Sequence, residues 1–147
     1  MLAKNYSLKD SNIAGYGRPK YNTSNINYIE DSISTGRQGL VVTANSLNIR
    51  QDPSTSSKVI GSIGRGESIF PTTKTTINGN YWFKAKNGWV SGSYLTGWIY
   101  QLNKWWYLDS GKVIANCTYV IDGKTYAFDK DGWLITSDRI NANGELI

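Results

Sequence analysis

The feature that most constrains the fold is an internal repeat in the last third of the chain. The stretches "GWIYQLNKWWYLDSG" and "CTYVIDGKTYAFDKDG" each have the pattern of a strand, a tight turn, a second strand and a glycine turn. Aligning Trp98 with Thr118, and Leu108 with Phe128, gives a period of 20 residues. Hairpins repeated at a fixed period cannot bury their apolar faces alone and must stack. We therefore expect a stack of β-hairpins over residues 97–147, with "SDRINANGELI" as a C-terminal cap.

The preceding segment, residues 39–96, predicts a small closed β-barrel. Long helical periodicity is absent, and short runs of β-branched and aromatic residues are separated by Gly, Pro, Ser and Asn. "NGNYWFKAKNGWVS" contains Asn87-Gly88, which is a strong hairpin signal. Five or six short strands in so short a segment are typical of a small barrel. The predicted fold class is therefore all-β, a barrel followed by a hairpin stack.

Residues 1–38 have a different composition and are predicted to be a linker or tail. They are polar, rich in Asn and Ser, and carry no periodic apolar pattern. Four tyrosines leave partial docking on the following barrel open. The N-terminal "MLAKNYSLKD" has no apolar core segment, so we predict no signal peptide.

Several kinds of catalytic chemistry are disfavoured by composition. The chain has no histidine and one cysteine, which removes the usual zinc sites, His-dependent triads and the commonest general base. The 11 carboxylates leave a carboxylate-dependent glycosidase open as an alternative. Most of those carboxylates lie in predicted turns, where Asp is common because its side chain hydrogen-bonds the turn backbone. Their presence therefore needs no catalytic explanation. We predict no catalytic residue, no metal site and no cofactor.

The net charge of +5 is spread unevenly along the chain. Residues 40–96 carry six basic and two acidic groups, whereas residues 97–147 carry five and six. A basic barrel suits a polyanion, so a nucleic-acid binder is the other alternative function. The basic residues form no cluster, however, and we expect neither nucleic acid nor membrane as partner.

The stretch "NKWWYLDSG" indicates a binding surface. Alternate residues of a strand face opposite ways, so Trp105 and Tyr107 share one face and Trp106 lies on the other. Both faces are aromatic, and only one can face the core of its own hairpin. Packing explains any single ring, but for the whole cluster we favour a ligand groove. The predicted ligand-binding residues are Trp98, Trp105, Trp106, Tyr107, Tyr119 and Tyr126.

The barrel segment resembles a bacterial SH3-like (SH3b) domain of the wall-targeting kind. The resemblance is carried by "LNIRQDPSTSSKVIGSIGRGESI" and by the ending "NGWVSGSYL". It implies a small barrel with a groove for a peptidoglycan stem peptide or cross-bridge. The residues that we expect at or beside this groove are Asn48, Arg50, Asp52, Trp82, Trp89 and Tyr94.

The hairpin segment resembles the choline-binding and glucan-binding repeats of Gram-positive surface proteins and phage lysins. "GWIYQLNKWWYLDSG" and "IDGKTYAFDKDG" carry this resemblance. The second hairpin departs from the pattern at Thr118, where a Trp is expected, and at Ala127. The resemblance implies aromatic grooves between hairpins that hold a quaternary ammonium group or stack on sugars.

Together the two segments resemble the wall-binding region of a peptidoglycan hydrolase from a phage (an endolysin) or an autolysin. This implies a non-catalytic module that targets a hydrolase to the Gram-positive wall, with an upstream catalytic domain as covalent partner. The implied ligands are peptidoglycan peptide, teichoic acid or polysaccharide, and choline. The implied location is extracellular, at the wall, after synthesis in the host cytoplasm for a phage lysin. A homodimer, or association with a full-length enzyme, stays open.

Overall fold

The structure is a computed structural model that describes residues 28–135, and it confirms the all-β prediction. Apart from a 3₁₀ turn at Gly92–Tyr94, the regular elements of this range are strands. Among these residues no helix is long and apolar enough to cross a membrane. The strands are β1 (Asp31–Ser32), β2 (Ser34–Thr35), β3 (Leu40–Val42), β4 (Ser46–Arg50), β5 (Val59–Gly64), β6 (Ser68–Ile69), β7 (Thr73–Ile77), β8 (Asn80–Ala85), β9 (Gly88–Ser91), β10 (Leu95–Gln101), β11 (Lys104–Asp109), β12 (Lys112–Val113), β13 (Cys117–Ile121) and β14 (Lys124–Phe128).

Two antiparallel sheets form the main body. The first has the strand order β1-β7-β8-β9-β4-β5, and the second has the order β12-β11-β10-β3-β6, with β2 paired to β10. One apolar core lies between them, built from alternate residues of the strands, as expected for sheets with one buried face. Its fully buried members include Leu40, Phe83, Val90 and Leu95.

Strand β10 crosses the predicted boundary between barrel and hairpins. Leu95 and Thr96 pair with β3 of the barrel, while the rest of β10 pairs with β11. The inward-facing Ile99, Trp106 and Leu108 belong to the same core as the barrel residues. The first hairpin is therefore continuous with the barrel, which differs from the predicted division at residue 97.

The predicted linker was wrong for its last part. β1 pairs with β7, and β2 pairs with β10, so residues 31–35 are strands that join both sheets. Between them Ile33 is 7% exposed and lies in the core. Asp31 accepts a hydrogen bond from the buried Lys74, whose Nζ lies 3.1 Å from Oδ2. These contacts order the segment despite its polar composition. Residues 1–27 lie outside the described range.

The second hairpin, β13–β14, repeats the first with the predicted period. Trp98 pairs with Tyr107 in the first hairpin, and Thr118 pairs with Ala127 in the second, each shifted by 20 residues. Phe128 is buried with Ile114 and Ile121 in a small second core. The predicted cap "SDRINANGELI" lies outside the described residues.

Two-residue turns close the hairpins. Asn78-Gly79, Leu102-Asn103, Ser110-Gly111 and Asp122-Gly123 each have positive φ at both positions. This is the type I′ conformation, whose twist matches that of the flanking strands. The hairpin predicted at Asn87-Gly88 is confirmed, with Lys86 and Asn87 as its turn residues. Gly88 is already the first residue of β9, and a Cβ there would lie 2.3 Å from the carbonyl oxygen of Arg50.

Candidate ligand sites

The first hairpin separates its aromatic residues by face, as strand alternation predicts. Trp98 and Tyr107 are cross-strand partners on the outer face, and Trp105 lies opposite Tyr100 on that face. All four rings are half-buried. Trp106 pairs with Ile99 on the inner face. The second hairpin packs against the outer face.

The indole of Trp98 is the centre of an aromatic cluster drawn from both hairpins. Its centroid lies 6.2 Å from that of Trp105 at an interplanar angle of 88°, and 5.1 Å from that of Tyr126 at 73°. It also stacks on Phe128, at 5.8 Å and 29°. The buried Phe128 ring supports Trp98 from below, so two further rings stand roughly at right angles to it.

Three of these rings border an open cavity of about 260 Å³, which we call the aromatic pocket; it is lined by Gly36, Trp98, Trp105, Tyr126 and Leu134. Its walls are half-buried, and none of the lining side chains carries a formal charge. An organic cation of a few atoms therefore meets several aromatic faces there. Such contacts contribute about 0.5–1 kcal/mol when exposed and roughly 2 kcal/mol when desolvated.

Backbone hydrogen bonds hold the rim of the aromatic pocket. The amide of Gly36 donates to the carbonyl of Trp98 at 3.0 Å, and the amide of Leu134 donates to that of Trp105 at 2.8 Å. A Cβ on Gly36 would lie 3.1 Å from the Cβ of Trp98, so a side chain there would crowd the indole. Asp129 shapes the loop before Leu134 by accepting the amides of residues 131 and 133 at 2.9 Å.

Trp106 requires a correction. We predicted that it contacts ligand, but it is 6% exposed and lies in the barrel core. Its Nε1 donates to Oε1 of Gln101 at 3.2 Å, and its ring lies 5.3 Å from that of Tyr81. The neighbour that hides this face is the barrel itself, because the first hairpin packs directly onto it.

Tyr107 and Tyr119 lie outside the aromatic pocket. Tyr107 is 5.0 Å from Trp98 and 6.4 Å from Tyr119, and burial raises its pKa. The Tyr119 hydroxyl donates to Oδ2 of Asp109, and this hydrogen bond is the main reason that the pKa of Tyr119 is raised. Tyr107 instead lines a second cavity of about 560 Å³, which we call the polar cleft. Its wall also contains Arg37, Trp98, Asp109 and Asp122.

Four of the six predicted barrel residues line one cavity. Asn48, Arg50, Trp82 and Tyr94 all border a space of about 440 Å³ between β4, β8 and the 3₁₀ turn, which we call the barrel cleft. The guanidinium of Arg50 donates to the carbonyl of Ser57 at 2.9 Å, which holds the long loop as one wall. Trp82 is 5% exposed, so only a small part of its ring is accessible.

Asp52 and Trp89 are not part of the barrel cleft, contrary to our prediction. Trp89 is 3% exposed, and its ring lies 5.5 Å from that of Tyr28 in an edge-on contact. The ammonium of Lys84 lies 5.5 Å from its centroid. The backbone amide of Asp52 donates to Oγ of Ser57, within the loop. The register pairs Trp89 with Arg50 and Lys84, so Trp89 lies on the same face as Arg50, but the ring of Tyr28 covers it there.

Sequence reasoning missed Gly36 and Leu134. Gly36 lay in the predicted linker, and Leu134 follows the last predicted hairpin. The turn-forming "TGRQG" before β3 was the available signal for Gly36. Among residues 28–135 no group of three or more His, Cys, Asp or Glu side chains is arranged to hold a metal ion.

Comparison with known proteins supports the barrel assignment. Residues 45–96 match the family model described as "Bacterial SH3 domain". No curated protein matches the chain. A crystal structure of the choline-binding domain of Spr1274 from Streptococcus pneumoniae is 33% identical over 49% of this chain and 96% of that one. Its TM-score of 0.37 is too low to support a common fold.

Proposed function

We propose that this chain is a non-catalytic module that binds the Gram-positive cell wall and targets a peptidoglycan hydrolase, an endolysin or autolysin, to it. The observation that carries the proposal is the aromatic pocket, in which Trp98, Trp105 and Tyr126 from two hairpins present their rings to one uncharged space. The ligand group that suits it best is a quaternary ammonium such as the choline of a wall polymer.

The pocket favours a quaternary ammonium over other cations for physical reasons. Its methyl groups need no hydrogen-bond acceptor, and the aromatic pocket is bordered by ring faces and the side chain of Leu134. A primary ammonium would lose its water without gaining acceptors, which is costly. The departure at Thr118 does not weaken this pocket, because the second hairpin contributes Tyr126 and not residue 118.

The barrel cleft is the proposed second contact with the wall. The match of residues 45–96 to the bacterial SH3 family supports a peptide ligand there. Asn48 and Arg50 offer hydrogen bonds, and the half-exposed ring of Tyr94 offers an apolar surface beside them. Two weak sites on one rigid chain raise the overall affinity for a polymer by effective concentration.

The experiment is a pull-down on purified, choline-containing Gram-positive walls, with and without free choline as competitor. We expect the protein to sediment with the walls, free choline to release most of it, and the pure protein to liberate no reducing sugars or amines. Phe70→Ala is the control variant, because it removes an aromatic ring that is 60% exposed and borders neither the aromatic pocket nor the barrel cleft. It should therefore bind the walls as the parent protein does. Release of sugars, or retention that choline does not change, would contradict the proposal.

A further inference from the structure

The polar cleft adjoins the aromatic pocket. The two cavities share Trp98 and Gly36, so one extended ligand is able to reach both. The polar cleft holds about 560 Å³, within the range of roughly 300–1,000 Å³ that small-molecule sites occupy. A ligand with one end in the aromatic pocket would therefore have room for a larger chemical group in the polar cleft.

Hydrogen-bonding donors and acceptors both line the polar cleft. Oδ2 of Asp109 is engaged by Tyr119, whereas within residues 28–135 Oδ1 has a contact of 3.5 Å with the hydroxyl of Thr96. A carboxylate offers roughly four acceptor positions, so Asp109 retains capacity for a ligand. Asp122 adds a second, exposed carboxylate from the turn of the second hairpin.

Arg37 supplies donors to the same cleft. It is exposed, and its guanidinium has no hydrogen-bond or ion-pair partner within residues 28–135, so its five N–H groups are available to a ligand. Two acceptors and a multiple donor across one space suit a ligand rich in hydroxyl groups, because each hydroxyl both donates and accepts. Hydrogen bonds to charged partners are also stronger than those between neutral groups.

The same cleft contains an aromatic wall. The rings of Trp98 and Tyr107 lie 5.0 Å apart at 67°, and both are half-buried, so parts of their faces border the cavity. The C–H face of a pyranose carries slightly positive hydrogens that pack well on the electron-rich face of a ring. Two carboxylates against one guanidinium leave the cleft with an excess negative charge, which disfavours a phosphate-rich segment.

We propose that the polar cleft binds a neutral saccharide unit of the wall polymer whose quaternary ammonium group occupies the aromatic pocket. Asp109 and Asp122 accept its hydroxyl hydrogens, Arg37 donates to its oxygens, and the rings of Trp98 and Tyr107 pack against its C–H groups. The inference rests on the proposed function, since it assigns a second part of the same polymer to the neighbouring cavity.

The test measures the two cavities separately by calorimetry. Choline chloride probes the aromatic pocket, and neutral tetrasaccharides of β-1,4-linked N-acetylglucosamine and of glucose probe the polar cleft. The variant is Arg37→Gln with Asp122→Asn, which keeps the net charge, and Asn tolerates the positive φ of 51° at position 122. The control is Arg65→Gln with Glu67→Gln, the same charge change in the exposed turn between β5 and β6.

We expect at least one tetrasaccharide to bind the parent and to bind the cleft variant at least fivefold more weakly. The affinity for choline should stay within twofold in the variant, and the control should match the parent for both ligands. Absence of saccharide binding to the parent, or equal saccharide affinity in the cleft variant, overturns the inference while choline binding still supports the proposed function. If the cleft variant loses affinity for a free stem peptide and keeps the parent's affinity for the saccharides, the inference is also overturned. Failure of choline to bind the parent contradicts the proposed function itself.

Discussion

Neighbouring residues Trp105 and Trp106 are predicted to have opposite roles, and their alanine variants separate binding from folding. Trp106 is 6% exposed in the barrel core. Burying an aromatic side chain of roughly 200 Å² at about 25 cal/mol per Å² contributes about 5 kcal/mol. Allowing for partial relaxation, we expect Trp106→Ala to lower the free energy of unfolding by about 3–5 kcal/mol.

Trp105 is half-buried, and the centroid of its ring lies 6.2 Å from that of Trp98 and 4.8 Å from that of Tyr100. Trp105→Ala should therefore lower the free energy of unfolding by only about 1 kcal/mol. Its removal takes one of three rings from the aromatic pocket, and a loss of about 1–2 kcal/mol of cation–π contact weakens choline binding by roughly 5–30-fold.

The assay combines urea unfolding, followed by far-ultraviolet circular dichroism, with calorimetric titration of choline. Trp106→Phe is included because Trp106→Ala will be marginally stable; the Phe variant should be destabilised yet bind choline like the parent when folded. The reasoning is refuted if Trp105→Ala is as destabilised as Trp106→Ala. It is equally refuted if folded Trp106→Phe loses more choline affinity than Trp105→Ala.

The remaining predictions concern stability and ionisation. Ile33→Ala should lower the free energy of unfolding by about 2–3 kcal/mol in urea unfolding, because Ile33 is in the core, whereas Ile29→Ala, at a position 71% exposed, should change it by less than about 0.5 kcal/mol. Leu102→Asn should raise thermal stability by about 0.5–1 kcal/mol and Leu102→Val should lower it, because φ is 55° at this exposed turn position; equal melting temperatures would contradict the turn assignment. In alkaline titration by ultraviolet absorbance, Tyr119 should ionise above its ordinary pKa of 10.0, and Asp109→Asn should bring its pKa down towards that value. Since the folded pKa is raised, its stabilising effect is present below pH 10 and is lost as the pH rises through the folded pKa; an unchanged titration in the variant would refute the contact.

Local patterns in the sequence predicted the parts of the fold that depend on local rules. Strand alternation correctly separated Trp106 from Trp105 and Tyr107. The 20-residue period correctly gave the register of the second hairpin, since Trp98–Tyr107 and Thr118–Ala127 are equivalent pairs.

Those local rules did not predict which strands and side chains come together across the fold. Alternation shows that Trp106 lies on the second face, but not that the barrel covers it. β1 and β2 have two residues each, and their polar composition does not differ from that of a linker. They are strands because Ile33 and Asp31 find partners across the fold, the latter in Lys74. Trp89 lies on the same face as Arg50, but only the docked Tyr28 reveals that its ring is covered there.

The most direct test of the account compares choline with 3,3-dimethyl-1-butanol, which has the same shape without the positive charge. If the rings of Trp98, Trp105 and Tyr126 hold a cation, calorimetry should show choline binding roughly 5–30-fold more tightly than the neutral analogue, since a cation–π contribution of about 1–2 kcal/mol is lost. Trp105→Ala should reduce that ratio towards one. Equal affinity for the two ligands in the parent protein, or binding of neither, would contradict the central claim.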